Sequence, residues 1–476
     1  MFLYDMARKA NRYRKTRKKI AAGRYLSPVR RIERTAALRS GRYIAMTFDD
    51  GPSAAFTNPP VNGCEKGLTL ELLDILSQFG AKGTFDVIGT TELNYPDSEG
   101  KADDFTWSGV KYDHYPNFGN DKLAGVKNQL ELASKIVKGG HELANHGYRH
   151  IIFGPMKLVY GKRANFITLR EVINDLNELH TMVNNELGYQ MKLSRPPHYI
   201  DKIPDGYTSY DAYRYMGYNY LAASFDGGGW KPSCGDYRQD VKAMVDPIKA
   251  ALESNINSLN GQIIFQKDGF NMSHQTPVAD ALYEALEMLS QAGYKVITAS
   301  ELIAKSPFED IDDTDPVFEQ VRDMSAAGYI MGYKNNTFQP DRVITCGELA
   351  LMATPPEILL SNYRDLIDNV LNAKSVKENA FKDVRLNNPY RLGIEYITGK
   401  GWLRTEGSGS FRPDDPLTLS EFADFLDNAS DGINIEWSPE KFSGISQNTI
   451  KPGLLRRREV IKALAQLNLR YQKSGV

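Results

Sequence analysis

The chain has 476 residues, 41% hydrophobic and 25% charged, with a formal net charge of −1. This is ordinary globular composition; it excludes a disordered, collagen-like or disulfide-dense protein, and at roughly 150 residues per domain it predicts about three domains. The near-zero charge hides an asymmetry. Fourteen Lys and Arg stand in the first 42 residues against only Asp5 and Glu33, so a basic arm (residues 1–41) precedes an acidic body.

The arm's charge suits a polyanion such as nucleic acid, anionic lipid or an anionic wall polymer. A solvated tail has the same composition, and Tyr4, Tyr13 and Tyr25 offer thin support for base stacking. Asp5, Arg8 and Lys9 interrupt the short apolar start, so no export signal is expected. No apolar run approaches the roughly 18–20 residues of a membrane span. Cys64, Cys234 and Cys346 are far apart and form no CxxC, which argues against a zinc knuckle or redox pair.

Residues 43–48 (YIAMTF) predict a buried strand running into the loop Asp49-Asp50-Gly51-Pro52. A helix follows over 68–79, stopped by Gly80, and then a strand over 83–88. Residues 90–123, polar and aromatic, predict a long surface insertion. Next come a helix over 129–137, a strand over 141–145, an amphipathic helix over 169–187, strands over 220–225 and 262–266, a helix over 279–292 and a strand over 293–298. Alternating strands and helices predict a parallel α/β barrel or sheet over residues 42–305, with its chemistry on loops at the strand C-termini.

Beyond Pro307 the sequence repeats itself. Phe308, Asp310, Gly328, Phe338, Pro340, Asp341 and Glu348 recur, at a constant offset, as Phe381, Asp383, Gly401, Phe411, Pro413, Asp414 and Glu421. Such a period predicts stacked supersecondary units. The repeats are expected at about 307–353 and 380–428, with a shortened third at 440–476. Each has helices over 317–327 or 390–398, then a second helix capped by Thr345 or Thr418. Glu459 takes the glutamate position of the third.

Two segments carry chemistry. Adjacent Asp49 and Asp50 let one carboxylate hold a cation while the other acts as a base on water. In Asn145-His146-Gly147-Tyr148-Arg149-His150, two histidines at i and i+4 suit one divalent metal; one aspartate with two histidines and an open position is a catalytic rather than a closed structural arrangement. Unrelated surface residues account for either segment taken alone.

Together these motifs resemble the polysaccharide deacetylases of carbohydrate esterase family 4, the NodB homology domain. The resemblance rests on TFDDGP (Thr47 to Pro52), GTFDVIG from Gly83, Gly140-His141-Glu142, the His146-to-His150 motif and Arg195-Pro196-Pro197-His198. It implies a distorted (β/α) barrel. It implies Asp49 as general base paired with Arg195, and Asp50, His146 and His150 as ligands of zinc, or of cobalt, manganese or nickel. A backbone N–H near His198 would hold the oxyanion, and Trp230 would line the sugar groove. The implied reaction removes N-acetyl groups from an amino-sugar polymer, at the cell surface or wall.

Two motifs depart from the family. Asp226-Gly227-Gly228-Gly229-Trp230 lacks a second aspartate, and Lys267 stands where the general-acid histidine belongs. Three expectations follow: Lys267 acts as the acid, His274 replaces it, or the domain binds metal and glycan with little turnover. The repeats in turn resemble S-layer homology repeats, an all-α domain that binds an anionic secondary wall polymer. Of their three Ile-Thr-Arg-Ala-Glu positions only the third keeps its arginine, Arg457, so polymer contact is expected there.

Overall fold

The computed structural model describes residues 27–61, 66–90, 123–155, 165–374, 380–403, 409–430 and 453–474, with isolated positions at 106–107, 110–111, 376, 435 and 437. The chain divides into two compact units, one of Arg31–Lys305, the other of Ser306–Val476 together with the N-terminal segment up to Arg30. The basic residues 1–26, Cys64, most of the 90–123 insertion and the start of the third repeat lie outside the described residues.

The first unit is a parallel sheet wrapped by helices. Its strands are β1 (Arg31–Ile32), β2 (Arg42–Asp49), β3 (Thr84–Val87), β6 (Glu142–Asn145), β7 (Leu193–Ser194), β8 (Asn219–Leu221), β9 (Phe225–Asp226), β10 (Ile263–Lys267) and β11 (Tyr294–Ile297); a two-stranded ribbon, β4 (Thr106–Trp107) and β5 (Val110–Lys111), stands apart. The order is β1-β8-β7-β6-β3-β2-β10-β9, with β11 also on β2. β11 takes the first half of β2 (Arg42 to Ala45) and β3 the last (Thr47 to Asp49), while β10 lines the other edge. An antiparallel bridge between Arg34 and Gln262 ties the segment after β1 to the start of β10.

The alternation of strand side chains grades the interior from apolar to charged. Ile32, Ala45, Ala144, Leu193, Leu221 and Ile263 form an apolar floor closed by Ala299 and Leu302 of the helix Ala299–Lys305. On the same face of β2, two and four residues above Ala45, come Thr47 and Asp49. Buried Glu142, which accepts from Thr84 Oγ1 (2.8 Å) and the Ser300 amide (3.0 Å), is an acid within that lower region. The predicted helix over 169–187 forms as Leu169–Leu187, with a Thr168–Glu171 capping box and left-handed Gly188 at its end.

Two expectations need correction. The strand over 220–225 is two strands with different neighbours, β8 against β7 and β1, β9 against β10. The basic arm does not run unbroken to residue 41. Arg31 and Ile32 pair with Tyr220 and Leu221, and Val29 and Ile32 are buried. The density of Arg and Lys conceals these apolar residues in the sequence.

In the second unit the constant offset acquires a cause. Asp310 accepts the amides of Phe338 and Gln339 (both 2.7 Å), and Asp383 those of Phe411 and Arg412 (2.9 and 2.7 Å). Phe308 packs on Phe338 and Phe381 on Phe411. Thr345 with Glu348 and Thr418 with Glu421 form capping boxes on the helices Cys346–Ala353 and Leu419–Ala429. In the third copy Glu459 accepts the Arg456 amide (2.6 Å) before the helix Arg457–Ser474. The three copies join through Ile344 N–H to Leu455, Leu417 N–H to Ile344 and Leu419 N–H to Gly453. The helix Pro356–Leu371 between the first two copies was not anticipated. Residues 27–30 belong here too: the Ser27 amide donates to Gly332, and buried Arg30 donates to the Pro307 carbonyl (2.7 Å) over the Phe308 ring.

Candidate active site

Parallel strands place all their C-terminal ends on one side, and the candidate residues gather there. Asp49 ends β2, Lys267 ends β10, His146 follows β6 and Arg195 follows β7. Register sets Lys267 beside Asp49 and Asp49 beside Asp86 of β3. Asp50 turns out of the strand with a left-handed backbone (φ 79°). The neighbouring Gly51 admits no side chain, because the Asp268 carboxylate fills the space a Cβ needs.

The segment from His146 to His150 is a tight loop rather than a helix. Asn145 Oδ1 accepts the Gly147 amide (2.9 Å), and Asp175 accepts the Tyr148 amide and Arg149 Nε (both 2.8 Å). Gly147 takes φ 88°, which favours glycine. The turn brings the His146 and His150 rings within 4.9 Å, both buried.

Asp50 Oδ1 lies 3.3 Å from His146 Nε2 and 3.2 Å from His150 Nε2. His146 Nδ1 faces the Arg195 carbonyl at 2.8 Å, a contact in which Nδ1 carries a proton and which turns Nε2 toward Asp50. One carboxylate oxygen and two imidazole nitrogens therefore converge, all within 4.8 Å of one another. This donor set fits a divalent cation of the zinc type with positions left open.

Arg195 is buried and donates to Asp49 Oδ1, to Thr47 Oγ1 (3.0 Å) and to the carbonyls of Leu221 and Ala222 (both 3.3 Å). Burial nevertheless raises the Asp49 carboxyl above its ordinary range; Arg195 and then His146 oppose the rise without cancelling it. Burial acts on Asp50 in the same sense, but Lys267 and then His150 and His146 hold it well below that range. His146 goes the other way. Burial opposes its charge, yet Asp49, Asp50 and Asp86 together push the ring up to about 9.

The remaining expected residues are spread around this centre. His198 is exposed, left-handed (φ 55°), with its ring 5.7 Å from that of His150. The amides of Tyr199 and Ile200 beside it donate to Pro196 and Pro197 within the turn. Trp230 is half-buried and donates to exposed Asp226 (3.1 and 3.2 Å), which also accepts the Gly228 amide (2.8 Å). Lys267 pairs with Asp50 Oδ2 at 2.6 Å. His274 lies in the following loop, where its carbonyl accepts from Asn58 and its ring faces Phe270.

Two carboxylates escaped the sequence reading. Asp86 is fully buried, with Oδ2 3.5 Å from His146 Nδ1 and 3.8 Å from Arg195 Nε; burial pushes it up to about 8. Its signal was an acid between Phe85 and Val87 in the short strand TFDV. Asp268, also buried, accepts from Thr69 Oγ1 (2.7 and 2.8 Å) and is pushed up to about 7 by burial.

Arg457 requires a correction. It was expected to meet an anionic polymer, but it is fully buried: Nε donates to the Phe338 carbonyl (2.7 Å), Nη1 lies 3.6 Å from Glu348, and the guanidinium sits 4.7 and 4.9 Å from the Phe338 and Tyr333 ring centres. Its neighbours carry the outward charge, and both face acids: Arg456 lies 3.7 Å from Asp341, and Arg458 pairs with Asp341 (2.7 Å) and Asp315 (3.3 Å).

Residues 38–220 match the polysaccharide deacetylase family model, and residues 307–350 match that of the S-layer homology domain. The peptidoglycan-N-acetylmuramic acid deacetylase PdaC of Bacillus subtilis is 22% identical over 261 residues, 55% of this chain and 38% of that protein. The peptidoglycan-N-acetylglucosamine deacetylase of Bacillus cereus is 22% identical over 264 residues, 55% of this chain and 88% of that one. The solved structure of peptidoglycan deacetylase PdaC from Bacillus subtilis is 21% identical, covers 55% of this chain and 90% of that chain, and aligns with a TM-score of 0.35. The chain thus contains a polysaccharide deacetylase domain and an S-layer homology domain, and it spans well under half of the first of these relatives. Lys267 lies beyond the segment that the deacetylase model matches.

Proposed function

We propose that the Arg31–Lys305 unit is a metal-dependent hydrolase that removes N-acetyl groups from an amino-sugar polymer of the cell wall, releasing acetate and a free amine. The observation that carries this reading is the placement of Asp49, already paired with Arg195, beside the convergent donors Asp50, His146 and His150. A bound divalent ion, zinc before cobalt, manganese or nickel, supplies Lewis acidity toward the acetamide carbonyl.

The chain's own residues do the rest. Asp50, His146 and His150 hold the ion. Asp49, raised by burial, takes the proton of the attacking water, and Arg195 fixes its orientation. Asp86 stands behind His146 and Arg195 and faces both with its carboxyl group. Lys267 pairs with Asp50 of the donor cluster and gives a proton to the departing amine. His198 and Trp230 border the site and offer ring faces to the sugar. The repeat unit holds the protein at the wall through an anionic polymer, by contacts other than Arg457, and the basic arm is a further polyanion contact.

The test is acetate release from acetylated glucosamine oligomers or peptidoglycan with zinc or cobalt added. Release that Asp49→Asn abolishes supports the reading; no release, or release indifferent to Asp49→Asn, overturns it. A second reading follows from the ion pair of Lys267 with Asp50: a domain that binds metal and glycan without turnover and acts as a wall scaffold. Metal and glycan binding with no acetate release would favour it.

A further inference from the structure

The two oxygens of Asp50 face different partners. Oδ1 meets the Nε2 atoms of His146 and His150, and Oδ2 meets the Lys267 ammonium at 2.6 Å. Lys267 has little freedom to leave, since it ends β10 in register with Asp49 and only 12% of its side chain is exposed. A cation bound by Oδ1 and the two histidines therefore has a fixed positive charge on the far side of the same carboxylate. Like charges this close repel strongly where water is scarce, and salt screens them little. The ammonium also draws on the carboxylate's charge, so it weakens Asp50 as a donor.

We propose that Lys267 sets the affinity of this centre for divalent cations: it occupies one oxygen of Asp50, limits that ligand to the other, and makes the centre a weaker binder than its donors alone would form. This rests on the metal-site part of the function proposed above. It assigns Lys267 a role in loading the site that is separate from proton donation.

The experiment is titration of the full chain with cobalt(II) alone, followed by calorimetry and by the visible absorption of the bound ion, for wild type, Lys267→Met and Lys267→Arg. Methionine keeps the length and removes the charge; arginine keeps the charge. Lys267→Met is expected to bind roughly tenfold tighter or more, a modest share of the Coulomb repulsion removed, with Lys267→Arg close to wild type. Equal or weaker binding by Lys267→Met overturns the inference, as does an equal gain in Lys267→Arg, which would make size rather than charge the cause. If Lys267→Met does not fold, Lys267→Gln makes the same comparison. Tight wild-type binding lost in His150→Ala, with no gain in Lys267→Met, refutes only this inference. No binding in any form refutes the metal site and the inference together.

Discussion

Arg195 with Asp49 and Arg457 with Glu348 are the same chemical pair in two units. All four side chains are buried. In the repeat unit the pair is turned inward, with Arg457 Nη2 buried without a hydrogen-bond partner. Glu348 accepts the Tyr333 hydroxyl (2.6 Å) and caps its helix, while Arg457 is enclosed by two aromatic rings and the Phe338 carbonyl. In the sheet unit Arg195 is equally well held, but Asp49 keeps its second oxygen toward His146, next to the donors of Asp50 and His150. A buried ion pair is thus no sign of function by itself; what its remaining lone pairs face decides.

That contrast is open to attack by mutation. The largest effect is expected for Asp49→Asn, which should lower acetate release by roughly 10²–10⁴-fold, the usual worth of a general base, while cobalt binding persists; parallel loss of both would make Asp49 structural. Arg457→Met should do the opposite, lowering stability by about 1–3 kcal/mol because the buried Phe338 carbonyl loses its donor while Glu348 keeps Arg342 (3.8 Å) and the Tyr333 hydroxyl, with acetate release by the folded protein unchanged. Denaturant titration checks it, and a loss under about 1 kcal/mol would show that the pair contributes little.

A third prediction concerns pH. Burial raises the Asp268 carboxyl from its ordinary 3.8 to about 7, so the folded chain keeps a proton that the unfolded chain releases. Its contribution is full below the ordinary value and is lost as pH rises through about 7. Asp268→Asn should flatten that part of the melting-temperature profile; an unchanged slope would assign it to other groups. The smallest effect is expected for Thr418→Ala, which removes a capping box and should cost about 1 kcal/mol. Thr345→Ala should cost at least as much, because Glu348 is buried in its box.

Much of the site was legible because its motifs are local. The loop from Thr47 to Pro52 and the His146-to-His150 segment each bring several donors within a few residues, so spacing made metal chemistry one reading and the family resemblance selected it. Asp86 and Asp268 were not legible, since an isolated acid acquires meaning only when register sets it beside Asp49 or under Gly51. Arg457 was misread for the same reason: a charge in a motif looks like a contact until aromatic rings from another repeat are found around it. The single strand expected over 220–225 failed because periodicity is blind to a change of neighbour.

The sequence by itself determined the alternation of strands and helices and the repeat with its Thr and Glu caps, because these depend on contacts within a turn or on side-chain period; the candidate ligands came from resemblance to a family. Only the tertiary structure decided which charges meet. It put Lys267 on the second oxygen of Asp50, Asp86 behind His146, and part of the basic arm into the sheet and the repeat unit, because parallel register and burial join residues that are far apart in the chain.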